Sequence, residues 1–259
     1  SSGQFDFGNA GTSVITATFT PSNTTNYVSG GTVTMTVTVA KATPALGTLA
    51  AMSKTFGDAA FSPTNPTATF GGSAVTGAWS YTSGTAGTAT ASGTTITIAG
   101  AGTSTITGTF SPTDSSNFNS ASTTATLTVN AATPTFTWSN VSATYGDANA
   151  SITAPTVATT AATGTWVYSS ADTDVVAISG SQFDFGNAGT SVITATFTPS
   201  NTTNYVSGGT VTMTVTVSRA TPTLGSLSLP SDKVFGDAAF SLSNPTATYN
   251  GSAVAGAWG

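Results

Sequence analysis

Phe5 to Val39 reads FDFGNAGTSVITATFTPSNTTNYVSGGTVTMTVTV, and the same 35 residues return unchanged from Phe183 to Val217, 178 positions on. The alternation inside this stretch decides its local structure. Val33, Met35, Val37 and Val39 alternate with Thr34, Thr36 and Thr38, and Ile15, Ala17 and Phe19 alternate with Thr16 and Thr18. Successive side chains of a strand point to opposite faces, so this period of two puts aliphatic groups inward and threonines toward water. Thr, Val, Gly and Ser dominate the chain, and no run carries the 3.6-residue apolar period of a helix. Threonine suits an outer strand face: its branched Cβ favours extended backbone, and its hydroxyl stays hydrated. A surface of this kind stays soluble almost without charge.

A weaker repeat lies at half the distance. Ala-Thr-Pro ends at Pro44, Pro134 and Pro222. Phe56-Gly57-Asp58, Tyr145-Gly146-Asp147 and Phe235-Gly236-Asp237 follow in register. So do Trp79, Trp166 and Trp258, then Phe110 and Phe197, then Phe118 and Tyr205. The unit is about 89 residues, the size of an immunoglobulin-like sandwich, and two versions of it alternate. The expected organisation is 1–40, the C-terminal half of a version B unit; 41–130, a whole version A; 131–218, a whole B; and 219–259, the N-terminal half of an A.

Version A predicts strands over 44–50, 54–61, 66–70, 75–82, 88–98 (two strands about Ser92-Gly93), 102–110 and 118–129. Seven or so short strands with turn residues between them predict an all-β class of tandem two-sheet sandwiches. Trp79, Phe110, Phe118 and Val129 are expected in the core of A. Trp166, Phe183, Phe185, Phe197, Tyr205 and Val217 are expected in the core of B. The links Val39 to Pro44, Val129 to Pro134 and Val217 to Pro222 are short and end on proline, which predicts a semi-rigid rod rather than beads on a string.

Composition removes several functions. Charged residues are 5% of the chain, against about 25% in ordinary globular proteins. The four basic residues are Lys41, Lys54, Lys233 and Arg219, and the net charge is −5. Nucleic acid needs clustered Lys and Arg, and anionic lipid needs a basic face, so neither is an expected partner. No apolar run approaches the roughly 20 residues of a membrane span, so no membrane insertion is expected. With no Cys and no His, most nucleophile and general-base arrangements are gone. The chain is read as no enzyme, with no catalytic residue and no cofactor. Asp172 and Asp174 are close in sequence, but glycosidase acids come from separate strands around a cleft, and a hydrated turn suits this pair better.

Calcium is the competing reading for the carboxylates. Hard cations want several clustered oxygens. The repeated Asp58, Asp147 and Asp237 lie near the start of each unit, close to a joint, and are the candidate metal positions. Few other carboxylates stand near them in sequence, and an Asp bonding its own turn is the preferred reading, so no metal is expected. Asp6 and Asp184 read as outward strand positions. Trp79, Trp166 and Trp258, one per unit, read as core anchors rather than a carbohydrate platform, while Trp138 is extra to version B and is expected to cover a joint. Thr-x-Thr rows suggest ice-binding surfaces, but sandwich strands twist. Version B has no Lys, which removes self-sealing isopeptide bonds as a general device.

Residues 168–197, YSSADTDVVAISGSQFDFGNAGTSVITATF, resemble bacterial Ig-like group 2 domains through Ser169-Ser170, Val176-Ala177 and Gly189 to Ala195. Lys54 to Asp58 and Ala143 to Asp147 are similar to the MBG-type repeats of large bacterial surface proteins. Version A departs from the first pattern at Tyr81 to Gly84 and Thr88 to Thr90. The resemblance implies a secreted surface stalk at the bacterial cell surface, whose partners are adjacent repeats of the same chain. It implies no binding site. Two roles stay open: a passive spacer for cell adhesion, and a self-assembling filament, sheath or biofilm-matrix component. The second gains from the scarcity of repelling charge along strand edges.

The sequence begins inside one repeat and stops inside another, without an initiator Met. The expectation is therefore a window of a longer array. Both terminal segments should be ordered as strands with one face or edge open to a neighbouring segment.

Overall fold

The structure, a computed structural model, describes residues 4–158, 162–228 and 231–259. The described residues are all-β, with no helix. The chain divides into two compact units, Ser1–Ala132 and Thr133–Gly259.

The first unit opens with β1 (Gly11–Phe19) and β2 (Gly31–Val39), an antiparallel ribbon in the register Gly11 to Val39 through Phe19 to Gly31. There follow β3 (Ala45–Leu46), β4 (Met52–Thr55), β5 (Ala68–Phe70), β6 (Ser73–Ala74) and β7 (Gly77–Ser83). The unit closes with β8 (Ala89–Ser92), β9 (Thr95–Ile98), β10 (Gly102–Pro112) and β11 (Ala121–Asn130). One layer is the four-stranded sheet β4-β11-β10-β7, antiparallel except for the edge pair β4 and β11. The other layer comes in two pieces, β3-β5-β6 and the hairpin β8-β9. Ile106, Leu127 and Val129 from the first layer meet Ala89 and Ile96 from the second, with Leu49 and Tyr81.

The second unit repeats the plan with β12 (Phe136–Thr137), β13 (Val141–Thr144), β14 (Ala150–Ser151), β15 (Thr156–Val157) and β16 (Gly164–Ser170). Next come β17 (Val176–Ser179), β18 (Gln182–Phe185), β19 (Gly189–Pro199) and β20 (Thr210–Ser218). The sheet β13-β20-β19-β16 again has one parallel edge pair, β13 with β20. It faces β12-β15 and β14-β18-β17. Val175, Val176, Phe183, Ile193, Met213, Val215 and Val217 form the core. Three short strands end the chain: β21 (Thr223–Leu224), β22 (Ala247–Tyr249) and β23 (Ser252–Ala253).

The alternation read from the sequence governs burial where two layers meet. In β20 the residues Met213, Val215 and Val217 are buried while the threonines between them face outward. A buried serine ties each sheet to the loop that leaves it. Ser104 Oγ lies 2.8 Å from Ser83 Oγ and accepts from the Thr85 N–H at 3.0 Å. Ser191 Oγ does the same with Ser170 Oγ at 2.8 Å and the Asp172 N–H at 3.0 Å.

Three expectations are corrected. The stretch 54–61 is not one strand: β4 stops at Thr55, because Gly57 takes a left-handed φ of 93° that only glycine adopts cheaply. Beyond that turn the chain has changed layers, and Phe61 bridges to Ile96. The strand expected at 44–50 shortens to two residues, since its partner β5 is itself short. The anchors Trp79, Trp166, Phe118, Phe185 and Tyr205 are half-buried rather than fully enclosed. Trp166 sits near the end of its strand, where the facing layer thins to the two-residue β12, and its ring is covered by Phe136 at 5.0 Å and Phe197 at 4.9 Å. Phe110, Val129, Phe183, Phe197 and Val217 are buried. A Cβ at Gly164 would run into the Phe197 ring, so a glycine two residues ahead of the Trp is a packing requirement.

Candidate functional site at the joints

Within each compact unit a terminal segment meets a sandwich, and the contact between them is the site that matters for a tandem array. In the first unit Asn117 holds the joint. Its Oδ1 accepts from the Ala10 N–H at 2.7 Å, and its Nδ2 donates to Asn9 Oδ1 at 3.1 Å and to Asp114 Oδ2 at 2.8 Å. Asp114 Oδ1 accepts from the backbone N–H groups of Ser116 and Asn117, so the turn that carries Asn117 is built by the same carboxylate. The Asn117 amide, then its backbone N–H, hold the Asp114 carboxyl below its ordinary range. Lys41 Nζ donates to the Ser115 carbonyl at 2.7 Å, and Ala42 bridges in parallel to Phe118.

The second unit shows the same kind of joint from its other side. Asn9 and Ala10 correspond to Asn187 and Ala188, and Ala188 lines a mainly apolar cleft of about 300 Å³ with Tyr145, Pro222, Tyr249 and Val254. Asn250 Nδ2 donates to the Gly146 carbonyl at 3.0 Å. Asn250 has a φ of 48°, a conformation asparagine tolerates better than most residues. A Cβ at Gly146 would come within 2.9 Å of the Tyr249 ring, so glycine there permits the close approach.

The three candidate calcium carboxylates are each turned into their own loop. Asp58 Oδ2 accepts from the Thr55 N–H at 2.9 Å, Asp147 Oδ2 from the Thr144 N–H at 2.8 Å, and Asp237 Oδ2 from the Val234 N–H at 3.0 Å. Each Asp N–H returns a bond to the carbonyl of the same partner. The reciprocal pair satisfies two backbone groups and explains the fixed Gly-Asp order. Among the described residues no group of three or more His, Cys, Asp or Glu side chains is placed to hold a metal ion. Among them, too, no helix is long and apolar enough to cross a membrane.

Asn117 and Asn250 do not stand out in the sequence. One signal was present: Asp114 and Asn117 stand three apart, as do Asn201 and Asn204, and Asn201 Oδ1 accepts from the Asn204 N–H at 3.0 Å. Such spacing marks an Asx turn; that the turn reaches a neighbouring segment depends on tertiary structure.

These features define an all-β chain of tandem, immunoglobulin-like β-sandwich repeats. No family model matches the sequence, and no curated protein matches it. Among solved structures, the chain is similar to Drosophila N-cadherin EC1-4 at 16% identity and a TM-score of 0.31, covering 72% of this chain and 52% of that one. It is also similar to mouse cadherin-23 EC22-24, at 13% identity and a TM-score of 0.29, covering 81% and 74%. Domains 4 and 5 of the S-layer protein SbsC match at 17% identity and a TM-score of 0.27, covering 60% and 84%. The chain spans about half the length of the N-cadherin structure. The fold assignment stands on the strand pairing above rather than on these likenesses.

Proposed function

We propose that the chain is a non-catalytic structural segment of a repetitive extracellular protein of the bacterial Ig-like or MBG type, acting as a spacer in cell adhesion. Its units are 41–130 and 131–218, flanked by the part-units 1–40 and 219–259, and it works as a semi-rigid stalk at the cell surface. The observation that carries this reading is the joint. A B-type segment meets an A-type segment in both compact units, and each time side-chain amides bond to backbone across the contact. A flexible tether needs no such bonds; a spacer that resists bending does. The bonds that cross the contact come from neutral side-chain amides, which suits a chain with few charges.

A second reading, assembly into a filament or sheath, draws on the apolar face of the β1-β2 ribbon, where Val33, Met35 and Phe19 are exposed. Electron microscopy of a recombinant fragment of four units separates the two. The spacer reading expects single rods that stay monomeric when concentrated. Ordered fibres or sheets would favour assembly, and globular particles without a rod would sink the spacer.

A further inference from the structure

Version B departs from version A on one face of the sandwich in a concerted way. Aligned on the Gly-Asp turns, Leu49, Lys54, Phe61 and Asn65 of A correspond to Trp138, Ala143, Ala150 and Ala154 of B. In A these groups fill the face. Leu49 is buried, Lys54 Nζ lies 4.6 Å from the centre of the Phe61 ring, and Asn65 Oδ1 accepts from the Tyr81 hydroxyl at 2.8 Å. In B three of the four are cut back to a methyl group and the fourth is enlarged to an indole.

Three of these positions, Trp138, Ala150 and Ala154, line an open cleft of about 400 Å³. Trp138 forms one wall, the buried Phe183 lies at the base, and Ala150 and Ala154 line the space between. Asn140, Ser151 and Thr153 bring amide and hydroxyl groups to it. The wall is fixed in place. Trp138 Nε1 donates to the Thr153 carbonyl at 2.7 Å, and its ring packs on Tyr168 with centroids 5.6 Å apart. Asn140 is oriented too, since its Oδ1 accepts from the Thr214 N–H at 2.8 Å. No residue lining the cleft is charged.

We propose that this cleft is a binding site for an uncharged saccharide. A pyranose ring has an apolar C–H face and a hydroxyl edge. The electron-rich face of an indole matches the first, and neutral amide and hydroxyl groups match the second. A charged ligand would lose its hydration without meeting a counter-charge. The volume lies at the small end of ligand sites, which suits one or two sugar rings. The inference is independent of the spacer reading: a stalk that binds glycan along its length remains a stalk.

The test uses the whole chain and its four tryptophan indole N–H resonances, with that of Trp138 assigned by Trp138→Phe. Maltose, cellobiose, lactose and chitobiose are each titrated to about 50 mM, enough to saturate a millimolar site. The expected result is a saturable shift of the Trp138 resonance with at least one sugar, the other three holding still. Ala150→Phe, which restores the side chain of version A, should weaken that binding by about tenfold or more. Should Ala150→Phe disturb folding, Trp138→Leu, read by calorimetry, should abolish the heat of binding. No saturable shift with any of the four sugars overturns the proposal. So does binding that survives both variants.

Discussion

Phe19 and Phe197 occupy the same place in the repeated 35-residue sequence, yet the first is 69% exposed and the second 1%. Met35 and Met213 differ in the same way, at 55% and 3%. The pairing register does not differ: Gly11 with Val39 through Thr18 with Thr32 in the first copy matches Gly189 with Val217 through Thr196 with Thr210 in the second. The strand that precedes the ribbon does differ. Gln182–Phe185 is β18, held between β14 and β17, whereas 4–7 carries the same residues and forms no strand. The second half of a repeat thus encodes its own hairpin, and the first half supplies what turns that hairpin into a sandwich. A similar split marks the other end. β21, β22 and β23 form as β3, β5 and β6 do, but 231–234 forms no strand, whereas 52–55 pairs in parallel with β11.

The comparison is sharpest at matched mutations. Phe197→Ala should cost about 3–5 kcal/mol, the usual loss for a large buried aromatic, while Phe19→Ala should cost less than about 1. Denaturant unfolding of the two variants reads the difference, and equal costs would mean that the ribbon face is covered in solution. A smaller contrast is expected at serine. Ser191→Ala removes the acceptor of the Asp172 N–H and should cost about 1–3 kcal/mol; Ser13→Ala, at the exposed twin position, should be close to neutral. At the joint, Asn117→Ala should speed hydrogen exchange at the Ala10 amide by about fivefold, or about 1 kcal/mol, and leave the core amides of β10 unchanged.

Acid should loosen the same joint. The folded Asp114 carboxyl lies below its unfolded value, so its contribution is present above the unfolded value near pH 4 and fades as pH falls through the lower, folded one. Ala10 exchange, corrected for its intrinsic pH dependence, should rise across that window and become flat in Asp114→Asn. The smallest effect expected is none at all: EDTA should leave the melting temperature unchanged. A rise of several degrees on adding millimolar calcium would instead assign Asp58, Asp147 and Asp237 to metal.

Much of this was legible before the structure. Alternation in Ile15 to Phe19 and Val33 to Val39 gave the strands, and in the second copy it gave the inward face, where Ile193, Ala195, Phe197, Met213, Val215 and Val217 are buried; in the first copy Phe19, Val33 and Met35 are exposed. The Phe/Tyr-Gly-Asp triplets are visible as repeats and their Asp as a turn residue, but the strand expected over 54–61 runs through the first of them. Their role as a turn between layers depends on the φ of Gly57 and on Phe61 finding Ile96, a pairing 35 residues away. The tryptophans were expected deeper than they lie, since one ring per unit does not reveal that the facing layer is only two residues long. The Trp138 cleft was hidden for a related reason. Leu49, Lys54, Phe61 and Asn65 become neighbours only across folded strands, so their joint replacement in version B carries no pattern along the chain.

The central claim is that the two 35-residue copies are one structural part with and without its cover. Hydrogen exchange on the chain extended at its start by a copy of residues 131–178, which joins Ser1 in phase with the repeat, tests it most directly. The account predicts that the amides of Phe5, Asp6 and Phe7 become as protected as those of Phe183, Asp184 and Phe185, and that β1 and β2 gain the stability of β19 and β20. Amides at 5–7 that stay unprotected in the extended chain would contradict it.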